Sequence, residues 1–194
     1  KRAILNISFR PYFCRIKYDF MIETNQPINT LHTLLNYDAH KFTSAEIALK
    51  NSLPGWINLA SSLKFKTVLQ KYLDMVQQHV DKMERFFEEE NINSLCLTNR
   101  IMRAFIEETD EKLAHCTDAE VKDACLLACI QVINHFKIST YGTAAAFANA
   151  LGIDKQAAVF HEAEINEKQI DDRLSQLANY EINTLAKTLI ARPA

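Results

Sequence analysis

The sequence has few of the residues that interrupt helices, because its 194 residues include only 3 glycines and 4 prolines. This scarcity argues against a turn-rich β fold and favours long helices. Hydrophobic residues make up 48% of the chain and charged residues 24%. That balance suits one globular domain with a sizeable core.

Several motifs that would indicate a known chemistry are also missing. The sequence contains no glycine-rich phosphate loop, no GxSxG nucleophile elbow and no CxxC pair. It has no apolar run of the roughly 20 residues needed to cross a bilayer, and its net charge of −2 gives no broad footprint for nucleic acid. We therefore expect neither a membrane nor a nucleic-acid partner.

The cysteines are odd in number and fit no zinc-site spacing. They are Cys14, Cys96, Cys116, Cys125 and Cys129. Cys125 and Cys129 lie one helical turn apart among leucine and alanine, where cysteine usually packs as a small hydrophobic side chain. Unpaired cysteines of this kind indicate a reducing compartment, so we expect a cytoplasmic protein.

The N-terminal segment differs from the rest of the chain in charge. Residues 1–20 carry five basic side chains and one acidic side chain, with no helical or alternating pattern. We expect residues 1–26 to form a basic arm that is disordered or not native to the domain, and residues 27–190 to form a single domain. The arm could touch nucleic acid or a membrane, but no motif selects either.

Apolar residues recur at helical spacing in four long stretches, which predict helices over residues 27–53, 63–90, 117–151 and 154–178. Shorter helices are predicted within 91–116 and 180–190. Pro54 is expected to break or kink the first helix. Thr117 begins a Ser/Thr-x-x-Glu capping box that opens the third long helix, Gly152 closes that helix, and Asp154 caps the next.

The third long helix is apolar on more than one face, which is typical of a helix buried in a bundle. Its middle nevertheless contains Gln131, Asn134, His135 and Lys137. A buried polar group without a partner costs roughly 1–3 kcal/mol, and a buried lysine costs more unless it is paired. The centre of this helix must therefore meet polar groups from other helices.

Each of the other long helices carries a polar residue in its apolar stripe. These residues are Glu46, His79 and Glu167, with Glu164 beside the last of them. Inward-facing Glu and His on four helices is the pattern by which ferritin-like bundles hold two metal ions. Carboxylate and imidazole ligands suit iron or manganese.

Four stretches resemble one family, the stress-associated YciE/YciF-type ferritin-like proteins of unknown function. They are 38–48 (DAHKFTSAEIA), 69–87, 133–148 (INHFKISTYGTAAAFA) and 162–183 (EAEINEKQIDDRLSQLANYEIN), so the resemblance spans about 30–183. It implies an all-α, ferritin-like antiparallel four-helix bundle with one or two shorter accessory helices. It also implies a relationship to rubrerythrin and ferritin, and a homodimer.

The chain departs from this family at the implied metal site. The family's third long helix typically reads E-H-Y-E, and here the same positions are Asn134, His135, Phe136 and Lys137. On the second helix, where the family offers glutamates, this chain offers glutamines and His79. An ammonium in place of a carboxylate removes a ligand and adds repulsion toward a cation.

Two hypotheses of different classes follow. In the first, which we favour, the site is degenerate and holds no metal, and Lys137 pairs with Glu46 or Glu167. The protein then has a structural or interaction role rather than an enzymatic one, and needs no cofactor. A variant of this hypothesis has Lys137 extending outward along Tyr141 without a partner.

In the second hypothesis, the remaining ligands still bind iron or manganese. The protein would then be a metal-dependent oxidase, a peroxide scavenger or a metal store. The ligands implied by the resemblance and the helical stripes are Glu46, His79, His135, Glu164 and Glu167. Nucleophilic catalysis has little support, because no third residue orients a base near His135.

Overall fold

The computed structural model describes residues 27–89 and 97–187, and within these ranges the chain forms helices and no strand. The α-helices are α1 (Leu31–Leu59), α2 (Leu63–Glu89), α3 (Arg100–His115), α4 (Ala119–Ala150), α5 (Asp154–Leu177) and α6 (Asn183–Lys187). A π-helix, Ala178–Ile182, joins α5 to α6. The predicted final helix over 180–190 therefore corresponds to most of this π-helix followed by α6, and residues 188–190 lie outside the described part.

The four long helices form two hairpins that pack on each other. Helix α1 pairs with α2, α4 pairs with α5, and the hairpins meet through α1 with α4 and through α2 with α5. The connections at 60–62 and 151–153 are too short for anything but antiparallel neighbours. Helix α3 contacts α1 and α4. The predicted all-α, antiparallel four-helix bundle with shorter accessory helices is confirmed.

The expected end of α1 at Pro54 is wrong, because α1 continues through this proline to Leu59. Proline removes one backbone hydrogen bond, but packing on both sides outweighs that loss. Leu53 and Trp56 are both buried, and the Trp56 indole donates a 2.7 Å hydrogen bond to Asp110 on α3. Tertiary contacts therefore stabilise the helix beyond Pro54, where the sequence had predicted its end.

Two predicted N-caps are displaced by one residue. Asp118, rather than Thr117, caps α4 by accepting from the Val121 backbone at 2.9 Å. Ile153 is the N-cap of α5, which places Asp154 in the first turn, where its charge favours the helix N-terminus. Gly152 closes α4 as expected, with a φ of 69° that glycine adopts without strain.

The core is divided into two apolar clusters by a layer of charged side chains. The larger cluster includes Leu49, Val76, Ile133 and Ile170. The smaller cluster includes Ala39, Met83, Tyr141 and Ala163. Between these levels each long helix contributes one buried ionisable residue: Glu46 from α1, His79 from α2, Lys137 from α4 and Glu167 from α5.

None of the described helices is long and apolar enough to cross a lipid bilayer.

Candidate functional site

The four ionisable residues of this layer, Glu46, His79, Lys137 and Glu167, form what we call the central charge cluster. Each is almost fully buried, with exposed fractions of 1%, 1%, 2% and 0% in that order. All four face inward because they continue the apolar stripes of their helices. Four ionisable groups without solvent must satisfy one another.

Lys137 holds the centre of the cluster. Its Nζ atom lies 3.0 Å from Glu46 Oε2 and 2.6 Å from Glu167 Oε1, so the ammonium bridges two carboxylates from opposite hairpins. The same nitrogen lies 4.8 Å from the centroid of the Tyr72 ring and 3.4 Å from the Tyr72 hydroxyl. Its charge is therefore compensated by two anions and an aromatic face.

His79 faces the same two carboxylates. Its Nδ1 atom lies 3.5 Å from Glu46 Oε1 and 3.4 Å from Glu167 Oε1. Burial alone lowers the pKa of His79, but the interactions with Glu167 and Glu46 outweigh it and raise the pKa above 6.5. With His79 protonated, two carboxylates face two cations, and the cluster is neutral.

Two tyrosines and an amide donate hydrogen bonds to the carboxylates. Tyr141 donates to Glu46 Oε1 at 2.5 Å, and Tyr72 donates to Glu167 Oε2 at 3.1 Å. Asn134 donates to the same Glu167 oxygen at 2.6 Å. Burial, followed by the neighbouring carboxylates, raises the pKa of both tyrosines well above its ordinary value, so both remain donors.

The ion pairs of the cluster shift the pKa values of Glu46 and Lys137 against the effect of burial. Burial alone raises its pKa, but the Lys137 ammonium and the hydrogen bonds from His79 and Tyr141 outweigh burial and lower the pKa to about 2. Burial likewise lowers the pKa of Lys137, and the Glu167 and Glu46 carboxylates more than compensate, so this pKa rises above its ordinary value. The ion pairs therefore keep Glu46 and Lys137 charged.

The structure does not bring His135 to the cluster. Its side chain is 65% exposed, and Nε2 lies 3.3 Å from the Asp171 carboxylate on α5. His135 precedes Lys137 by two residues, which is about 200° around a helix, so the two side chains point in opposite directions. This residue had been proposed both from the polar group in the middle of its helix and from the resemblance.

Glu164 also lies outside the cluster. Its carboxylate accepts from Lys168 at 2.6 Å and lies 3.3 Å from His161, one turn away in either direction along α5. It packs over Gly142, where an added Cβ would approach Glu164 Oε1 to 3.2 Å. Of the five proposed ligands, the structure therefore brings together Glu46, His79 and Glu167.

Tyr72 and Tyr141 belong to the site but were not proposed as part of it. Each falls in an apolar stripe, where an aromatic ring is ordinarily a core residue. The signal that could have identified them is chemical, because a buried tyrosine hydroxyl needs a hydrogen-bond partner and the misfit carboxylates supply one.

The donor set can be compared with the two-metal site of ferritin-like bundles, which takes a Glu from each of two helices and a Glu-x-x-His motif from each of the others. Within the described ranges, one group of three possible ligands has atoms within 4.8 Å of one another: Glu46, His79 and Glu167. The Lys137 ammonium occupies the space between its two carboxylates. The residues therefore do not fit a two-metal site.

Comparison with known proteins agrees with the resemblance in the sequence. Protein YciF of Escherichia coli (strain K12) is 30% identical over 145 residues, which cover 74% of this chain and 87% of that protein. The crystal structure of the E. coli stress protein YciF superposes with a TM-score of 0.75 and 28% identity, over 82% of this chain and 99% of the other. YcfI of Rhodopseudomonas palustris gives the same TM-score at 24% identity, over 78% of this chain and 96% of that one, and supports the fold.

The match to a family profile extends over most of the described residues. The profile described as "Domain of unknown function (DUF892)" matches residues 30–187, from the N-cap of α1 to the last residue of α6. This range contains all four members of the central charge cluster. The chain therefore belongs to the DUF892 family, and it is a homologue of the E. coli stress protein YciF.

Proposed function

We propose that this chain is a structural or interaction protein of the stress-associated YciF type whose central site works without metal. The observation that carries the proposal is the position of the Lys137 ammonium, which contacts both Glu46 and Glu167. A positive charge built into the chain does here what a bound cation does in a metal site. The proposal includes no catalysis.

Charge balance supports this proposal. A divalent ion between Glu46 and Glu167 would have to displace an ammonium already paired with both, and like charges only a few ångströms apart repel strongly in a buried site. The cluster offers two carboxylates and one imidazole as ligands, whereas two divalent ions need more anionic oxygen ligands than that. The hydroxyls of Tyr72 and Tyr141 stay protonated and add no charge.

Metal analysis of the purified protein tests the proposal. We expect iron and manganese far below one ion per chain, both as isolated and after incubation with either ion followed by gel filtration. Stoichiometric iron or manganese that is lost on Glu46→Ala and on Glu167→Ala would contradict it.

Lys137→Glu is the sharper variant, because it removes the ammonium and restores a carboxylate. We expect it to bind iron or manganese more tightly than the wild type while the helical content is kept. Lys168→Glu is the matched control, since it makes the same charge change at an exposed position on α5. A Lys137→Glu protein that folds but gains no metal affinity would show that ligand geometry, rather than charge, has been lost.

A metal-dependent function remains the alternative, and one observation favours it. Ligand atoms of Glu46, His79 and Glu167 lie within 4.8 Å of one another, which is close enough for one ion. The protein would then be an iron or manganese oxidase, a peroxide scavenger or a metal store. Peroxide consumption or iron oxidation that depends on Glu46 and is strengthened by added metal would support it.

We further propose a homodimer in the cytoplasm. Support for the dimer comes from α4, where the exposed side chains from Val121 to Ala150 include no Asp, Glu, Lys or Arg, and where Val121 and Val132 are 40% and 54% exposed. Free thiols at Cys116, Cys125 and Cys129 support a reducing compartment. Light scattering of the wild type and of Val132→Glu tests the dimer, which we expect this added charge to dissociate.

A further inference from the structure

A cleft with a volume of about 210 Å³ lies between the second half of α2 and the first half of α5. Its lining from α2 follows the i, i+3, i+4 and i+7 spacing of a single helix face, and consists of Lys82, Arg85, Phe86 and Glu89. Its lining from α5 includes Lys155, Val159 and Phe160. We call this space the α2–α5 cleft.

The apolar lining of the α2–α5 cleft is mainly aromatic. Phe86 and Phe160 belong to the smaller apolar cluster and are 6% and 1% exposed. Their ring centroids lie 5.7 Å apart at an interplanar angle of 64°, which is an edge-to-face pair held in place by the core behind it. A third ring placed against this pair would find the same favourable geometry.

The size of the α2–α5 cleft limits what can enter it. An apolar cavity of about 150 Å³ is large enough to bind benzene. The larger volume of this cleft therefore accommodates one aromatic ring with a small substituent. It is too small for a compound of several rings.

The polar part of the lining carries more positive than negative charge, with three cations and one acid: Lys82, Arg85, Lys155 and Glu89. Lys155 pairs with Glu89 at 2.7 Å, and their side chains are 70% and 47% exposed. Lys82 pairs with Glu162 at 2.8 Å. Arg85 forms no ion pair with another residue in the described part of the chain, so its guanidinium is available to an anion.

The chemistry of Arg85 indicates which anion fits. A guanidinium presents parallel N–H donors that match the two oxygens of a carboxylate. The ion pairs on either side of it are partly exposed and contribute little, so Lys82 and Lys155 can turn toward a second negative charge at small cost. A carboxylate attached to a ring would meet Arg85 while the ring lies against Phe86 and Phe160.

We propose that the α2–α5 cleft binds a small aromatic carboxylate, a compound with one ring and one carboxylate group. Arg85 is the anchor for the carboxylate, and Phe86, Val159 and Phe160 receive the ring. The site is separate from the central charge cluster and does not depend on the function proposed for that cluster. Because α2 and α5 belong to different hairpins, the bound compound would stabilise the packing of one hairpin on the other.

Benzoate is the probe for the test, added to the full chain at constant ionic strength and followed by NMR of the Val159 methyl groups and the Arg85 Nε–H. Acetate carries the charge without the ring, and benzyl alcohol carries the ring without the charge. We expect benzoate to saturate one site with a dissociation constant at least about tenfold below that of either control compound. Nuclear Overhauser contacts from benzoate to the rings of Phe86 and Phe160 should accompany binding.

Arg85→Gln tests the anchor, and Arg173→Gln is its matched control at an exposed position near the other end of α5. We expect Arg85→Gln to weaken benzoate binding by about tenfold or more and to leave benzyl alcohol binding unchanged. Arg173→Gln should change neither. Both arginines are exposed, so both variants should keep the unfolding midpoint of the wild type in the absence of benzoate.

Three results would overturn the proposal. The first is benzoate binding no tighter than that of acetate or benzyl alcohol. The second is an equal effect of Arg85→Gln and Arg173→Gln, which would indicate attraction to the overall charge of the surface. The third is a set of Overhauser contacts to residues outside the α2–α5 cleft, which would place benzoate elsewhere.

Discussion

Asn134 donates its side-chain amide to two oxygens of Glu167, the backbone carbonyl at 3.1 Å and side-chain Oε2 at 2.6 Å. The resemblance in the sequence implies a glutamate at this position in the family. A neutral donor fits beside a buried carboxylate, whereas a second carboxylate would fit only with a cation between the two. Asn134 and Lys137 therefore act together, because both compensate the buried carboxylates of the site with groups that the chain itself supplies.

Asn134→Asp should be strongly destabilising, because it exchanges a donor for a nearly isosteric carboxylate against Glu167. We expect a loss of about 3 kcal/mol or more in unfolding free energy at pH 7, measured by urea denaturation. The new acid would have a folded pKa above its unfolded value. The penalty should therefore shrink as the pH falls toward 5.

The control for this substitution is Asn149→Asp, which makes the same change at an exposed position of α4. It should change the unfolding free energy by no more than about 0.5 kcal/mol. Equal effects of the two substitutions would show that Glu167 does not depend on the Asn134 amide.

Lys137→Met should destabilise the bundle by about 3–5 kcal/mol, since it leaves two buried carboxylates without their shared cation. Adding Glu46→Gln should recover part of that loss, because one uncompensated charge is then removed. Urea denaturation of the single and double variants measures both effects.

Lys168→Met serves as the control, because Lys168 pairs with Glu164 at the surface and its side chain is 55% exposed. Exposed pairs contribute about 0–1 kcal/mol. If Lys137→Met cost no more than this control, the ion pairs of the central charge cluster would be energetically unimportant.

Low pH should reduce the free energy of unfolding through protonation of Glu46. Its pKa falls from 4.5 to about 2 on folding, and a shift of that size corresponds to about 3 kcal/mol. Because the folded pKa is the lower one, this stabilisation is complete above pH 4.5 and is lost as the pH falls toward 2. The pH dependence of unfolding should be shallower in Glu46→Gln over this window, and identical curves for the two proteins would contradict the assignment.

For His79 we expect the opposite pH dependence, a loss of stability as the pH rises. Its folded pKa is raised above 6.5, so its contribution is complete below the unfolded pKa and is lost as the pH rises through the folded pKa. We expect His79→Gln to remove a decline in stability that the wild type shows above pH 6.5. NMR titration of the His79 ring measures the pKa directly, and a value below 6.5 would show that the imidazole is neutral in the native protein.

Helical periodicity was enough to predict most of the bundle and the inward direction of Glu46, His79 and Glu167, since a residue in an apolar stripe must face the core. The pairing of Lys137 with Glu46 or Glu167 was predicted on other grounds, from the cost of an unpaired buried lysine and from the resemblance, which implies a glutamate at position 137. Pro54 was misjudged because its effect depends on how Trp56 packs against α3, which local sequence does not reveal.

Sequence spacing did not show which of the proposed ligands lie outside the cluster. His135 and Glu164 were proposed from the polar positions of their helices and from the resemblance, but their angular positions on α4 and α5 place them away from the cluster.

The division of the core by a single charged layer has a consequence for how the helices find their alignment. If one helix slid along its neighbours by a turn, its ionisable side chain would enter one of the apolar clusters, and an aliphatic residue would face the unpaired charges left behind. Each such mismatch strands a buried charge, which costs several kcal/mol. Competing alignments of the same four helices are thereby disfavoured. The charged layer therefore specifies one axial alignment among several that would have similar hydrophobic contacts.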